Sequence, residues 1–372
     1  MRFRTILILI GLIALGQAQT AHSAEAAKPL RLVIAGLTHT HVHWAFESEK
    51  RGEFTIVGIA EPNRELAQRY SQQHGFDMAL VQDQLEPLLH QEKPEAVAAF
   101  GSIYEHLSVV EAAAPRGIHV MVEKPLAVSM EHASRMAELA QEHGIHLLTN
   151  YETTWYPSNH EARQRLQAGE IGALRKVVVR DGHRGPKKIG INKEFLDWLT
   201  DPVQNGGGAL TDFGCYGANL ATWLMDGQRP LSVTAITQQL QPENHPKVDD
   251  EATILLTYPA AQVIIQASWN WPIGVKDMVL FGLDGEIHAD NRHQLRVRLA
   301  EGYDGYQETV LNLEEREPPL DDPFAWFTAV IRGSVTPLPN DLSGLHNNLT
   351  VVEILDAARE SARMGQTITL AQ

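Results

Sequence analysis

The chain of 372 residues has one cysteine, Cys215, and no excess of basic residues. A single thiol cannot form an intrachain disulfide, so folding requires no oxidation. Lys and Arg number 31 against 46 Asp and Glu, which gives a formal net charge of −15. An acidic chain without a basic block argues against nucleic acid or an anionic lipid surface as partner. Beyond the first residues, no apolar run is long enough to cross a membrane.

Residues 1–26 are typical of a secretory signal. Arg2 and Arg4 supply a positive start, residues 6–15 are apolar, and small residues between 18 and 26 suit cleavage. The apolar run is short for a membrane span, and the arginines are not adjacent as in a twin-arginine signal. We expect Sec-type export to the periplasm or the medium, with no membrane contact after cleavage. An uncleaved anchor is the alternative.

Residues 27–149 alternate short aliphatic runs with amphipathic stretches, among them helices predicted over 64–74 and 130–143. Continuous apolar runs between helices predict a parallel sheet covered on both faces. This pattern is typical of a doubly wound Rossmann domain. Ligands bind such domains beyond the carboxyl ends of the strands.

Residues 150–372 have a different rhythm, in which strand-like runs follow one another with turn signals between them. One helix is predicted over 212–225, and helices over 323–332 and 344–364 close the chain. We expect an α+β domain with a large, mostly antiparallel open sheet that binds substrate and forms the oligomer contact.

The tripeptide Glu123-Lys124-Pro125 follows the apolar run at 119–122. It therefore lies at the carboxyl end of a predicted strand, facing the ligand crevice. Proline restricts the backbone of Lys124 and allows a cis peptide bond. A lysine held there can donate to a substrate oxygen and stabilise developing negative charge. A surface lysine before a turn is the alternative.

A glycine-rich turn, Gly206-Gly207-Gly208, opens the helix that carries Asp212, Tyr216 and Asn219. Asp212 and Tyr216 are four residues apart and Asn219 three further on, so they share one helix face. Near a lysine, the phenolate of Tyr216 would be favoured and the side chain would serve as acid and base. A buried structural tyrosine is the alternative.

These two segments resemble the paired signatures of the Gfo/Idh/MocA oxidoreductases, and the resemblance covers nearly all of the chain after the signal. The family's helix pattern is usually Asp-x-Gly-x-His-x-x-Asp, so the Tyr and Asn found here look like the glucose–fructose oxidoreductase branch. The resemblance implies an NAD(P)-dependent enzyme with Lys124, Asp212 and Tyr216 as catalytic residues. It also implies cofactor contacts from Glu123 and Lys124, and a homo-oligomer formed through the open sheet.

The expected phosphate loop retains one glycine. A dinucleotide site favours G-x-G-x-x-G, whereas the chain has Gly36-Leu37-Thr38-His39-Thr40-His41. Thr40 is a candidate helix cap, and Thr38 or His39 could donate to phosphate in place of closely approaching backbone. We assign Gly36, Thr38, His39, Thr40 and His41 to cofactor binding. A strand–turn–helix without nucleotide is the alternative.

Glu61 ends the second predicted strand, about 25 residues after the first glycine. An acid near this spacing binds the ribose hydroxyls and repels a 2′-phosphate. Glu61 therefore favours NAD over NADP, unless it is a solvated loop acid.

His39, His41 and His43 alternate as in metallohydrolases that carry H-x-H on a barrel strand. Such a site needs further ligands on later strands, and the barrel rhythm stops near residue 150. We therefore predict no metal.

Four side chains are further candidates for contact with a small carbohydrate. Trp155 and Trp198 can stack on a pyranose face, and His183 and Asn219 can reach its hydroxyls. His106 is expected in the crevice wall.

The sequence predicts an exported oxidoreductase that acts on a hydroxyl of a sugar, cyclitol or glycoside. Because little soluble NAD is available outside the cytoplasm, a retained cofactor and redox-neutral chemistry fit best. NAD-dependent glycoside cleavage on the same fold, an exported sugar-binding protein without catalysis, and a metal-dependent hydrolase are the alternatives.

Overall fold

The first of two sheets has six parallel strands. The computed structural model describes residues 28–371, so the predicted signal segment lies outside the described residues. The strands are β1 (Leu30–Ala35), β2 (Phe54–Ala60), β3 (Val81–Gln82), β4 (Ala96–Ala99), β5 (His119–Glu123) and β6 (Leu147–Asn150). Their spatial order is β3-β2-β1-β4-β5-β6. The order reverses between β1 and β4, which opens a crevice at their carboxyl ends.

Helices cover both faces of this sheet, as the continuous apolar runs predict. They are α1 (Val42–Ser48), α2 (Arg64–His74), α3 (Leu85–Glu92), α4 (His106–Ala113) and α5 (Met130–His143), with 3-10 turns at Glu49–Arg51, Met78–Leu80, Ile103–Glu105, Ala114–Arg116 and Glu152–Trp155. Along β1, Val33 and Ile34 enter two different apolar clusters, one on each face. The doubly wound domain is confirmed.

Local signals explain why two helices have the bounds that the sequence predicts. Asn63 accepts a hydrogen bond from the Leu66 amide at 3.1 Å and begins α2, while Gly75 ends it at φ 82°. Ser129 accepts from the His132 amide and begins α5. Side-chain caps of this kind satisfy amides that lack a partner inside the helix.

The second sheet has nine strands, of which only one neighbouring pair is parallel. They are β7 (Lys176–Gly182), β8 (Ser232–Gln238), β9 (Glu251–Thr257), β10 (Gln262–Ser268), β11 (Val275–Phe281), β12 (Gly285–Ala289), β13 (Gln294–Glu301), β14 (Gly305–Asn312) and β15 (Ile368–Thr369). Their order is β14-β13-β12-β11-β7-β10-β9-β8-β15. The parallel pair is β7 with β10. The mostly antiparallel sheet is confirmed.

The helices of the second domain are α6 (Pro157–Gln167), α7 (Pro186–Ile189), α8 (Lys193–Leu199), α9 (Ala209–Asp212), α10 (Gly214–Leu224), α11 (Pro323–Ile331) and α12 (Leu345–Met364). The helix predicted over 212–225 therefore begins earlier, as the separate turn α9. Helix α10 lies close on the sheet, because a Cβ at Gly217 would be 2.4 Å from Ile265. This close approach brings the tyrosine of the motif onto the β7 and β10 strands.

Helix α11 crosses the predicted domain boundary. Phe324, Phe327 and Val330 pack in the same apolar cluster as Phe54 of the first sheet. The segment after residue 150 thus also completes the first domain, which chain order alone does not indicate. Within residues 28–371, no helix combines the length and apolarity that a bilayer span requires.

Candidate active site

A cleft of about 320 Å³ lies at the carboxyl ends of β1, β2 and β4, where the strand order reverses. Gly36 and Gly101 both line it, and their backbones approach each other closely. Gly36 has φ 81°, and a Cβ there would lie 2.8 Å from the Gly101 nitrogen. The first glycine of the expected phosphate loop is therefore required by backbone conformation and by close approach.

Backbone amides are available in this loop despite its missing glycines. The Leu37 amide donates to Glu61, and the His39 amide donates to the Phe100 carbonyl. Among the described residues, no acceptor faces the amides of Thr38 and Thr40. Free amides beside a glycine are donors that a pyrophosphate can use. These residues fit a dinucleotide.

Glu61 lies at the edge of the same cleft. Its carboxylate accepts from the Leu37 and Asn63 amides, each at 2.8 Å. Burial raises its pKa above the usual range, against the opposing effect of these two amides. Each carboxylate oxygen retains a lone pair for a ribose hydroxyl.

The Thr38 side chain, which the sequence predicts to contact the cofactor, is hydrogen-bonded within the protein. The Thr38 hydroxyl donates to the Phe100 carbonyl and accepts from the Trp198 indole at 3.0 Å. Trp198 therefore supports the cofactor loop, and its predicted role in stacking on a sugar is not supported. The predicted cap at Thr40 is wrong, because His41 holds the N-cap position of α1 without a side-chain cap.

His39 and His41 are organised around Glu123. His39 Nδ1 accepts from the His41 amide at 3.1 Å, which assigns the proton of the neutral ring to Nε2. His41 Nδ1 donates to Glu123 at 2.9 Å. Burial lowers the pKa of His39, so its ring is neutral and faces Glu123 instead of a phosphate.

These three side chains place their ligand atoms within 4.8 Å of one another. A nitrogen that carries a proton has no lone pair for a metal. Since Nε2 of His39 is that nitrogen, hydrogen bonding accounts for the cluster. Burial alone would raise the pKa of Glu123, but His41, His39 and Asn150 outweigh it and lower the pKa to about 2.

Lys124 and Asp212 form a buried ion pair between the two domains. Lys124 Nζ lies 2.5 Å from Asp212 Oδ1 and 3.0 Å from the Asp212 carbonyl. The other carboxylate oxygen accepts from the Trp269 indole at 3.0 Å. Burial alone would lower the pKa of Lys124, yet the Asp212 carboxylate outweighs it and raises the pKa. The ammonium has three protons, so one remains for a substrate oxygen.

The expectation that Lys124 favours the Tyr216 phenolate is wrong. Lys124 Nζ lies 5.1 Å from the centroid of the tyrosine ring and is directed to Asp212. Burial raises the pKa of Tyr216 well above its usual value, with further contributions from Glu152 and Asp181. Tyr216 is therefore a protonated phenol in the resting protein.

Another cavity, of about 270 Å³, lies in the second domain and is lined by Phe213 and Lys276, which both contact Tyr216. His183 lines it, as the sequence predicts for a carbohydrate contact, and its ring contacts Phe213 edge-on. The other lining residues are Tyr156, Gly182, Gly274, Val275, Asn291 and Arg292.

The structure does not place Trp155 and Asn219 at this cavity. Trp155 is buried, donates to Asn150 and packs edge-on against Trp326. Asn219 is fully buried and donates to the Leu342 carbonyl at 2.7 Å. Both side chains hold the core together, because shared helical spacing or an aromatic ring does not indicate exposure. His106 lines the cofactor cleft.

Three polar residues near Tyr216 are not found by motif matching. They are Glu152, Asp181 and Lys276. Glu152 follows β6 of the parallel sheet, where the rule that ligands bind beyond the carboxyl ends of strands would have found it. Asp181 in β7 and Lys276 in β11 have no such signal, since both strands lie inside the mostly antiparallel sheet.

A cleft that fits a dinucleotide and a buried Lys–Asp–Tyr group together place the chain in the class of two-domain Rossmann proteins. The model of the oxidoreductase family with NAD-binding Rossmann fold matches residues 30–151, and that of the GFO/IDH/MocA C-terminal domain matches residues 159–288. The chain belongs to the Gfo/Idh/MocA oxidoreductase family.

Among curated relatives, trans-1,2-dihydrobenzene-1,2-diol dehydrogenase of Macaca fuscata fuscata is 26% identical over 229 residues, which is 61% of this chain and 64% of the relative. The chain thus spans less than two thirds of the relative's length.

Solved structures show the fold. The aldose-aldose oxidoreductase of Caulobacter crescentus complexed with glycerol aligns with TM-score 0.76 and 21% identity, covering 92% of this chain and 100% of that one. The NAD+ complex of an inositol dehydrogenase homolog from Azotobacter vinelandii aligns with TM-score 0.78 and 19% identity, covering 92% and 98%.

Proposed function

We propose that the protein is an NAD-dependent oxidoreductase acting on a hydroxyl of a sugar, cyclitol or glycoside. The observation that carries this proposal is the buried contact of Lys124 with Asp212 across the two domains. It joins the carboxyl end of a Rossmann strand to the helix that bears Tyr216. Proton transfer and cofactor binding are thereby brought to one place.

Each residue of this group has a separate role. The N–H group of Lys124 that is not bonded to Asp212 donates to the reacting oxygen and stabilises negative charge on it. Asp212 keeps that ammonium charged and directed. Tyr216 exchanges a proton with the same oxygen. When a carbonyl is reduced, the protonated phenol acts as the acid that protonates this oxygen. NAD, when bound, supplies the hydride acceptor or donor.

The lining of the cleft supports NAD as the preferred dinucleotide. Gly36, the amides of Thr38 and Thr40, and Glu61 are the groups that would hold it. Glu61, Asp83 and Glu105 line the cleft without a Lys or Arg among its lining residues. Such an acidic cleft disfavours an additional 2′-phosphate.

We propose export and a retained cofactor as part of this function. Residues 1–26, in which Arg2 and Arg4 precede an apolar run at 6–15, support export. A cofactor that stays bound must return to its starting redox state in each cycle, so hydride transfer between two sugars, epimerisation or transient oxidation suits it.

We also propose that the outer face of the second sheet pairs with a second copy. Leu255, Ile264, Val178 and Val279 are neighbours across four strands and form a partly exposed apolar row. An apolar row on one sheet face favours a partner. Light scattering after gel filtration should give a dimer or larger; a monomer at all concentrations would overturn this part.

The activity is tested by following the nicotinamide absorbance of protein loaded with NAD while a panel of aldoses, cyclitols and glycosides is added. A change with at least one compound is expected. No change with any of them, in either redox state of the cofactor, would contradict the proposal.

A further inference from the structure

The ammonium that faces the Tyr216 hydroxyl belongs to Lys276. Its Nζ lies 3.5 Å from the Tyr216 oxygen and 4.5 Å from the centroid of the ring. Among the hydrogen bonds of the described residues, this is the only one that the Tyr216 hydroxyl makes. Lys124 contacts the ring face but not the oxygen.

Lys276 is held in place by two neighbouring strands and by Glu152. It pairs directly with Asp181 across β11 and β7, so both side chains project from the same face of the sheet. Its ammonium forms an ion pair with the Glu152 carboxylate. Glu152 in turn accepts from the Tyr156 hydroxyl at 2.5 Å. The lysine therefore has a fixed position beside the phenol.

The charges around the phenol determine what Lys276 can do. Asp181 is buried beside Lys276, and burial raises the pKa of its carboxyl above the usual range, against the opposing effect of the Lys276 ammonium. The groups facing Tyr216 are Glu152, Asp181, Asp212, Cys215, Lys124 and Lys276. Lys124 is directed to Asp212, so of the two ammonium groups beside the ring only that of Lys276, itself paired with Glu152, contacts the hydroxyl oxygen.

We propose that Lys276 is a positioning residue that acts through Tyr216, by stabilising the phenolate formed when the phenol gives up its proton. This inference rests on the proposed function. In the reducing direction the O–H bond of Tyr216 breaks, an O–H bond forms on the substrate oxygen, and the negative charge stays on the phenolate beside Lys276. The hydride for the substrate carbon would come from the reduced nicotinamide when the cofactor is bound. Oxidation is the reverse of these steps.

The first test is Lys276→Met in the full-length mature protein. We expect kcat to fall about 10²-fold, as for loss of one donor to developing charge, with a much smaller change in KM. The pH at which Tyr216 ionisation limits kcat/KM should move upwards, because the phenolate loses its cation. Lys276→Arg should restore most of the activity and the original pH dependence.

The matched control is Arg165→Met, which breaks the Arg165–Glu170 ion pair at the end of α6, outside the lining of both cavities. The Arg165 side chain is 25% exposed and that of Lys276 24%, so the two changes remove similarly buried cations, and the control should leave kcat and its pH dependence unchanged. If Arg165→Met and Lys276→Met lower kcat alike, Lys276 has only a structural role and the inference is overturned.

A double-mutant cycle tests whether Lys276 affects kcat through Tyr216. In a Tyr216→Phe background, Lys276→Met should add less than about twofold to the loss, because effects of residues acting as a unit are not additive. A further 10²-fold loss would show that Lys276 acts independently of Tyr216.

The two proposals fail in different ways. If the unmodified protein binds no dinucleotide and reduces none, the proposed function fails. If it is active and Lys276→Met keeps the original kcat and pH dependence, only the role of Lys276 fails. Should Lys276→Met not fold, Lys276→Gln removes the charge and keeps a polar side chain at the same position. A weaker fall in kcat with the same upward pH movement supports the inference, and an unchanged profile contradicts it.

Discussion

The two sides of the cleft reach a functional arrangement in different ways. On the cofactor side, the loop at 36–41 has one of the three expected glycines, and the side chains of Thr38, His39 and His41 are bound to the protein. On the substrate side, Lys124 and Asp212 keep the residue types of the motif and meet in a buried ion pair. A backbone donor can be presented by many residue types, whereas a buried ammonium–carboxylate pair requires these two side chains.

The comparison is tested most severely by Lys124→Met. The change leaves Asp212 buried without its partner, so we expect a loss of about 3–5 kcal/mol in unfolding free energy. The reacting oxygen also loses its donor, so kcat should fall by about 10³-fold. Chemical denaturation and steady-state kinetics measure the two effects. A stable variant with unchanged kcat would contradict the central role of the pair.

Tyr216→Phe should affect rate and leave stability nearly intact. We expect kcat to fall about 10²–10⁴-fold, because the proton carrier is lost, while the ring keeps its packing. Tyr258→Phe is the control, since it removes another buried hydroxyl in the second domain. Turnover at the unmodified rate in Tyr216→Phe would show that another group moves the proton.

Glu61→Gln tests the cofactor side of the cleft. We expect a moderate effect on dinucleotide affinity, because backbone amides should supply most of the contacts there. We expect NAD to bind about tenfold more weakly, a change of ~1.4 kcal/mol, and the preference for NAD over NADP to narrow. Isothermal titration calorimetry with both dinucleotides measures this. Exposed Glu65→Gln at the start of α2 is the control. An unaltered preference would remove Glu61 from ribose recognition.

His106, which lines the cofactor cleft, should produce a pH effect on stability. Burial lowers its pKa to about 4 from an ordinary 6.5. The unfolded chain therefore binds more protons between these values, and the stability contributed by the neutral ring, about 3 kcal/mol, is lost as pH falls from 6.5 to 4. Urea unfolding of the parent and of His106→Asn should show a shallower pH slope for the variant. Equal slopes would contradict this assignment.

The sequence predicts the fold well where local signals agree with burial. Helices α2 and α5 have the predicted bounds because caps and apolar periodicity coincide. Short strands such as β3 and β15 were not predicted, since two residues carry no period. The packing of α11 against the first domain depends on contacts distant in the chain, and no local pattern indicates it.

The site was predictable as a list of motif residues but not as a set of contacts. Lys124, Asp212 and Tyr216 come together as expected, yet the ammonium beside the phenol oxygen is that of Lys276. Trp155 was predicted to stack on a sugar and is instead buried in the core. Residue type and spacing indicate which chemistry is available, whereas burial and pairing across strands decide which side chains carry it out.

The most direct test is the nucleotide content of the mature protein as purified. The protein is denatured, and the released small molecules are assayed for NAD(H) and NADP(H). We predict NAD(H) in a ratio near one per chain, with little NADP(H), which would support a retained cofactor in the 320 Å³ cleft. A protein that carries no nucleotide and binds none when it is added would contradict the oxidoreductase function and favour a sugar-binding protein.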